Sequence, residues 1–356
     1  MTNLTLFGAG KIGEAIIHLL ARTGDYRLRV VDADPIRLAQ MTATDIECIA
    51  VDIRDERKLD ELVKDQDVVV SACPYYITAM IARAARRHGV HYFDLTEDVE
   101  CTREVLALSK GAESALIPQC GLAPGFISIV ANDLASRFDK LRDVHMRVGA
   151  LPTYPSNTLK YNLTWSTDGL INEYCNPCLA IRDGAVMETL PLEEVESFSL
   201  DGIDYEAFNT SGGLGTLTET LAGRVENLNY KTVRYPGHRD IMKTLVRDLR
   251  LDRRRDLLKD VLESSIPVTK QDVVLIFVSV TGEREGRLQQ ETFAKKIYAR
   301  EIDGRLFSAI QITTAAGICA MVDLLVEGKL PQAGFVRQEQ ARLADFLANR
   351  FGSHYA

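Results

Sequence analysis

The stretch Leu4-Thr5-Leu6-Phe7-Gly8-Ala9-Gly10-Lys11-Ile12-Gly13 decides the fold. Four residues that suit a strand run into Gly-x-Gly-x-x-Gly, after which Ile12, Ala15, Ile16, Leu19 and Leu20 recur at the spacing of one helical face. The pattern predicts a strand, a tight glycine turn and a helix. In such a unit Gly8 lets the chain turn, Gly10 leaves room for a pyrophosphate against bare backbone, and Gly13 lets the helix pack closely on the strand. The phosphates then sit at the positive end of the helix, beside Lys11 and Ile12. A second strand, Arg27 to Val31, ends at Asp32, close to the distance expected for an acid that bonds an adenosine ribose. A carboxylate there would repel a 2′-phosphate, so the expected cofactor is NAD rather than NADP.

Outward from this turn the same alternation continues. Ile46 to Val51 reads as a third strand ending at Asp52-Ile53, where a dinucleotide fold bonds the adenine edge. Val68-Val69-Val70-Ser71 is apolar enough to be buried on both faces, and Ala72-Cys73-Pro74 stops it at the cofactor edge. A helix over Ile77 to His88, a strand at Tyr92-Phe93-Asp94 and a strand over Leu116 to Cys120 follow. Six strands separated by helical segments describe a doubly wound parallel sheet, an α/β fold of the Rossmann type. Ligands bind beyond the carboxyl ends of such strands, which singles out Ala72-Cys73-Pro74, Asp94-Leu95-Thr96-Glu97 and Cys120 to Gly125. Asp94 and Glu97 are candidates for proton transfer or for holding an ammonium group, with Thr96 at the cofactor edge between them. The same segment would equally serve a helix start, with Thr96 as cap and Glu97, Asp98 and Glu100 in the first turn. Cys120 is either an active-site thiol or a small apolar packing residue.

The composition narrows the class of protein. A chain of 356 residues is long enough for two domains, and 46% hydrophobic with 26% charged residues describes an ordinary soluble globular protein. No apolar run is expected to reach the length that crosses a bilayer, and the first residues enter a strand without a basic region or cleavage site, so no signal peptide is expected. Seven cysteines, odd in number and scattered, fit a reducing cytoplasm better than a disulfide framework. A formal charge of -8 does not suggest nucleic-acid binding. Cys175-Asn176-Pro177-Cys178 has the spacing of a metal half-site, but no second pair or nearby His completes it, so no metal is expected.

From about Asp143 the pattern changes to α+β. Val144 to Val148 alternates like a half-buried strand, and Asp183-Gly184 and Asp201-Gly202 each sit between strand-like runs, a strong hairpin signal. Helices are expected over Ser166 to Tyr174, Thr216 to Leu221, Pro236 to Arg250 and Asp252 to Leu262, and further strands over Asp272 to Val280 and Glu291 to Tyr298. A mixed or antiparallel sheet results, with the chemistry expected in the cleft between the domains. Asn209 to Thr216, including Ser211 and Gly212, is a glycine-rich approach to a helix that either binds a carboxylate through free N–H groups or is a flexible loop. Tyr230 to Asp240 brings Arg234, Arg239 and His238 around a Pro-Gly turn, where an Arg could clamp a carboxylate bidentately or lie solvated. Between Leu151 and Gly223 the only cations are Lys160 and Arg182 among many acids, which favours a cationic substrate over a polyanionic one.

These segments resemble the saccharopine dehydrogenase-like family, and most of all its lysine-oxidising branch. The carriers are the Gly8 to Gly13 turn, Gly121-Leu122-Ala123-Pro124-Gly125, Gly149-Ala150-Leu151-Pro152, Tyr161-Asn162-Leu163-Thr164-Trp165-Ser166, Glu173-Tyr174, Arg182-Asp183-Gly184 and Arg234-Tyr235-Pro236-Gly237-His238. The resemblance implies an NAD-binding Rossmann domain over 1–125 completed by a returning segment of about 308–356, with the helix Ala315 to Glu327 in that return. It implies a catalytic and oligomerisation domain over 126–307, and a homodimer or homotetramer. It further implies hydride transfer from Cε of lysine, or of a similar small cationic amino acid, to the nicotinamide, then imine hydrolysis and cyclisation to a piperideine. On that chemistry Asp94, Glu97 and His238 compete as proton acceptor, and Arg234, Arg239 and the Ser211–Thr216 loop compete for the α-carboxylate. Tyr161 and Trp165 would form an aromatic wall for the aliphatic stem. Two alternatives stand beside it: oxidation of saccharopine or carboxynorspermidine, and a non-catalytic NAD-binding regulator that has kept the fold.

Overall fold

The structure, a computed structural model, describes residues 1–39, 41 and 46–356. It comprises two compact units, Met1–Phe126 with Gln311–Ala356, and Ile127–Ile310. The first is built on parallel strands β1 (Thr2–Phe7), β2 (Tyr26–Asp32), β3 (Glu47–Ala50), β4 (Val68–Ser71), β5 (His91–Asp94) and β6 (Ala115–Ile117). Their order across the sheet is β6-β5-β4-β1-β2-β3, and a short strand at Gly334–Phe335 extends it beyond β6. The order reverses where β4 and β2 flank β1, which is the switch point at which doubly wound sheets bind ligands. β4 is buried at every position, as its uninterrupted apolar run requires. Helix α1 (Lys11–Ala21) buries Ala15, Ile16, Leu19 and Leu20 along the face read from the sequence.

Two boundaries differ from expectation for local reasons. β6 ends at Ile117 and not at Cys120, because the chain turns at Gln119, whose φ is 66°. The helix after β5 spans Val99–Leu108 and is capped by Asp98, which accepts from the Cys101 N–H; Thr96 lies outside it. One expectation is corrected outright. The helix Ala309–Val326 has 18 residues and a mean hydropathy of 1.8, so it is long and apolar enough to cross a bilayer. Here 89% of it is buried within the protein, where it serves as a core helix.

The second unit is organised by a mixed sheet of β7 (Lys140–Pro152), β8 (Cys178–Arg182), β9 (Ala185–Thr189), β10 (Glu196–Leu200), β11 (Ile203–Asn209), β12 (Asn227–Arg234), β13 (Asp272–Arg284) and β14 (Arg287–Tyr298). The order is β10-β11-β12-β7-β13-β14, with the β8–β9 hairpin attached to β12. β12 and β7 run parallel and the rest of the path is antiparallel. Both Asp-Gly hairpins form as read: φ is 49° and 78° at Asp183 and Gly184, and 53° and 75° at Asp201 and Gly202, the left-handed pair that a two-residue turn needs. Leu170, Tyr174, Phe208, Met242 and Leu258 pack in one core, and Leu151, Tyr205, Val233 and Leu275 in another. The single helix expected over Pro236 to Arg250 is instead an α-helix, His238–Lys243, that widens into a π-helical turn, Thr244–Asp248.

Candidate functional site

In the first unit the three glycines meet three different demands. Gly8 has φ of +98°, and a Cβ there would stand 2.7 Å from the Ala72 carbonyl oxygen. A Cβ on Gly13 would stand 2.0 Å from the Gly8 carbonyl oxygen, so close contact between helix and turn excludes any side chain. Gly10 faces open space. It lines a cavity of about 400 Å³ together with Gly8, Asp32, Asp52, Ile53, Ala72, Cys73 and Pro74. Lys11, Ile12 and Thr96 do not line it; Lys11 and Ile12 open α1, and Thr96 is buried with its hydroxyl accepting from the Asp98 N–H.

Asp32 is fixed at the mouth of this cavity. Its Oδ2 accepts from the Ala9 N–H at 2.7 Å and its Oδ1 from the Asp34 N–H at 2.8 Å. Both cations in the cavity wall are matched locally. Arg54 donates through Nε to both Asp52 oxygens at 3.0 and 2.9 Å, holding that carboxyl down to about 2, and Arg37 lies 3.5 Å from Asp34.

Asp94 is fully enclosed. Tyr92 donates to Oδ2 at 2.7 Å, and the Thr96 and Gln119 N–H groups donate to Oδ1 at 2.9 Å each. Its backbone carbonyl also accepts from the Cys120 N–H. Burial pushes the carboxyl up to about 6 against the pull of these donors. The side chain is therefore a brace that ties the turn after β6 to the end of β5, which corrects its reading as a proton acceptor. Cys120 is corrected likewise: it is buried, its thiol donates to the Ile117 carbonyl at 3.1 Å, Gln338 reaches its sulfur at 3.1 Å, and burial raises its pKa well above the ordinary value. That thiol stays protonated. Glu97 alone of the acidic pair is partly exposed.

In the second unit the Tyr230–Asp240 segment separates into two parts. His238 is buried, with Nδ1 2.9 Å from the Leu159 carbonyl oxygen and Nε2 2.9 Å from the Tyr174 hydroxyl. Desolvation and the neighbouring Arg234 lower its pKa to about 3, so it is a neutral structural imidazole, and its reading as a general base is corrected. Arg234 is also buried; its Nε donates to the Tyr174 hydroxyl at 3.0 Å, its Nη1 to the Val233 carbonyl at 2.9 Å, and its guanidinium lies 5.0 Å from the centre of the Tyr161 ring. Arg239 belongs to the other part. Its N–H donates to Glu206 and its Nη1 to Asp240 at 2.7 Å each, on the outer side of the turn.

The Tyr161 hydroxyl and the Thr164 hydroxyl are buried without a hydrogen-bond partner, while Trp165 packs half-buried on the same core. The Ser211–Thr216 loop is used internally: Ser211 donates through Oγ to the Pro177 carbonyl and through N–H to the Glu173 carbonyl, and Gly213 lies flat under the Tyr230 ring. The helix it leads to has only five residues, Leu217–Leu221, so the loop does not open onto a helix strong enough to hold an anion. Tyr174, Glu173 and Glu206 were not legible as site residues, since nothing in the spacing of the helix TDGLINEYC or the strand IDYEAFN sets them apart from the polar residues beside them.

Family models complete the geometry. The model described as the saccharopine dehydrogenase NADP binding domain matches residues 4–117, and that described as the saccharopine dehydrogenase C-terminal domain matches residues 121–353. The chain belongs to the saccharopine dehydrogenase family. Its first unit is accordingly the NAD(P)-binding domain of an oxidoreductase family. Saccharopine dehydrogenase (NADP(+), L-glutamate-forming) of Saccharomyces cerevisiae is 25% identical over 260 residues, which is 68% of this chain and 57% of that protein. Mitochondrial alpha-aminoadipic semialdehyde synthase of Bos taurus is 20% identical over 316 residues, 82% of this chain and 33% of that protein. The chain thus spans between a third and somewhat over half of the length of these relatives. The solved apo saccharopine dehydrogenase (L-Glu forming) from Saccharomyces cerevisiae shares the fold, with a TM-score of 0.79 at 18% identity over 95% of this chain and 94% of that one.

Proposed function

We propose that this chain is an NAD-dependent dehydrogenase that removes the ε-amino group of L-lysine. When bound, NAD supplies the hydride acceptor for Cε of the substrate; water then converts the imine to an aldehyde with release of ammonia, and the aldehyde condenses with the α-amino group to a piperideine carboxylate. The observation that carries the reading is a count of buried positive charge. The buried cations of the described residues are Arg147, Lys231 and Arg234. Arg147 and Lys231 are both paired with Glu196, whose carboxyl their charges pull down to about 2. Arg234 makes no ion pair among the described residues; the charge of the buried Glu173 stands close enough to strengthen its hold on its proton, and its guanidinium keeps hydrogen-bonding capacity for one substrate carboxylate. Lysine carries one carboxylate, whereas saccharopine carries three.

Arg234 then holds the α-carboxylate, with the Tyr161 and Thr164 hydroxyls as further donors and Trp165 beside the aliphatic stem. Glu97, the acid that enclosure leaves partly accessible, takes the proton from the ε-ammonium, which must be neutral before it can release a hydride. Asp32 accepts from the adenosine ribose, and its fixed charge supports NAD over NADP. The scattered cysteines support a reducing, cytoplasmic setting. Saccharopine oxidation is the competing reading, favoured by the names of the relatives.

The test is to mix the purified protein with NAD or NADP and, in turn, lysine, ornithine, saccharopine and carboxynorspermidine, and to follow reduced cofactor by absorbance. NADH with lysine alone is the expected result. Reduction only with saccharopine would replace the reading, and NAD binding without turnover of any substrate would favour the regulator.

A further inference from the structure

We propose that Tyr174 and His238 are positioning residues that hold the Arg234 guanidinium at the angle from which it receives a substrate carboxylate. The inference rests on the reading of Arg234 given above and adds two residues that would not touch the substrate.

The geometry points to a directed chain of hydrogen bonds. The Leu159 carbonyl can only accept, so His238 Nδ1 carries the proton and donates across 2.9 Å. Nε2 is then an acceptor and takes the Tyr174 hydroxyl proton across 2.9 Å. With its proton committed, the Tyr174 oxygen is an acceptor toward Arg234, whose Nε–H reaches it at 3.0 Å. Reversing any one member leaves two donors or two acceptors facing each other, so the order of protons is unique. The neutral imidazole that this requires is the form that burial beside Arg234 favours.

Arg234 is held on three sides as a result. Tyr174 fixes Nε, the Val233 and Ala150 carbonyls take Nη1 at 2.9 and 3.5 Å, and the Tyr161 ring covers one face at 5.0 Å. Nη2 takes part in none of these bonds. The His238 ring is itself wedged edge-on against Tyr161 and Tyr174, with centroids at 5.3 and 5.8 Å, so the imidazole cannot swing without moving its partners. A buried polar chain is costly unless every member is satisfied, and of the three guanidinium nitrogens Nη2 is the one these bonds leave for a substrate carboxylate. Packing alone would be met by Phe at 174 and Leu at 238; the polar atoms add orientation.

Paired variants separate orientation from packing. His238→Gln keeps an acceptor near Nε2 for the Tyr174 hydroxyl, His238→Asn keeps only the donor to Leu159, and Tyr174→Phe removes the link while preserving ring volume. The proteins are loaded with NADH, which cannot accept a hydride, and titrated calorimetrically with L-lysine and with 1,5-diaminopentane, which lacks the carboxylate; KM and kcat are measured with NAD on the same preparations. Tyr174→Phe and His238→Asn are expected to weaken lysine binding and raise its KM about tenfold, the worth of one hydrogen bond to a charged group, with kcat and diamine binding little changed. His238→Gln is expected to recover most of the loss. Equal behaviour of His238→Gln and His238→Asn, or equal loss toward lysine and the diamine, overturns the proposal. Arg234→Gln is the control for the underlying reading: if it leaves lysine binding intact, the carboxylate assignment falls and the positioning role with it. If it abolishes lysine binding while Tyr174→Phe and His238→Asn have no effect, only the positioning role falls.

Discussion

Asp32 illustrates how much one side chain can decide when its surroundings hold it still. Its two oxygens are pinned by the Ala9 and Asp34 N–H groups, so it cannot rotate away from a bulky anion, and the cations beside it are already matched by Asp52 and Asp34. Asp32→Ser is therefore expected to raise KM for NAD by about 10-fold to 100-fold, the range for losing a charged hydrogen bond, and to lower KM for NADP, as measured by initial rates with each cofactor. Residues of this kind are legible in a sequence because their position after a strand fixes their neighbours. Asp94, Cys120 and His238 were not, because their chemical type is visible in the sequence and their enclosure is not: Gln119, Gln338 and Tyr174, which help to close around them, lie 25, 218 and 64 residues away. His238 carries a pH signature of that enclosure. Its pKa falls from 6.5 to about 3 on folding, so between these values the unfolded chain binds a proton that the folded chain refuses. Its contribution to stability is complete above about pH 6.5 and is lost as the pH falls toward 3. Urea unfolding at pH 7 and pH 5 is expected to show the wild type losing about 2 kcal/mol more than His238→Gln over that interval, since each tenfold change in proton affinity is worth about 1.4 kcal/mol.

At the scale of elements, legibility follows how local the determining contact is. The Asp-Gly hairpins at 183–184 and 201–202 formed as read because the left-handed pair is set by two adjacent residues. The helix read over 236–250 did not, because it changes into a π-helical turn at Thr244, whose hydroxyl donates back to the Asp240 carbonyl, and such a change leaves no mark on the apolar periodicity. The glycine turn gives a sharper test, since two of its glycines do different work. At Gly13 an added Cβ would lie 2.0 Å from backbone oxygen, a contact no rotamer can relieve, so Gly13→Ala is expected to displace α1 and destabilise the protein by about 3 kcal/mol or more. At Gly10 the same methyl meets nothing within 4 Å, and the backbone φ of -71° suits alanine. Gly10→Ala is expected to leave the thermal midpoint unchanged within error while weakening NAD at least about tenfold, because the methyl takes the space of the pyrophosphate. Differential scanning fluorimetry with and without NAD separates the two outcomes. Equal loss of stability in both variants would show that the turn is uniformly tight and not shaped for a phosphate.

On the scale of the whole molecule, the first unit depends on chain that lies more than two hundred residues from its other strands. Gly334–Phe335 pairs with Ala115–Leu116, Phe126 stacks on Tyr355 with centroids 3.9 Å apart, and the Tyr355 hydroxyl donates to the Thr313 carbonyl. The return was implied by family resemblance and by nothing in the local pattern, since a two-residue strand carries no periodicity. Its polar anchor is Asp323, 4% exposed, which accepts from the Tyr26 hydroxyl at 2.6 Å, from Asn349 at 2.8 Å and from Arg350 at 2.7 and 3.0 Å. Arg350 also reaches Asp25, so one guanidinium joins the last residues of the chain to the loop before β2. Removing it strands a buried carboxylate, and Arg350→Ala is expected to cost about 3 kcal/mol. Where that cost appears tests how far the units are thermodynamically coupled. The chain has a single tryptophan, Trp165, in the second unit, whereas NAD binding reports on the first. If the units unfold separately, Arg350→Ala moves the urea transition read by loss of NAD binding to lower concentration and leaves the Trp165 fluorescence transition in place. If both transitions move together, the helix Ala309–Val326, which begins in one unit and continues through the other, transmits the loss and the chain unfolds as one cooperative system.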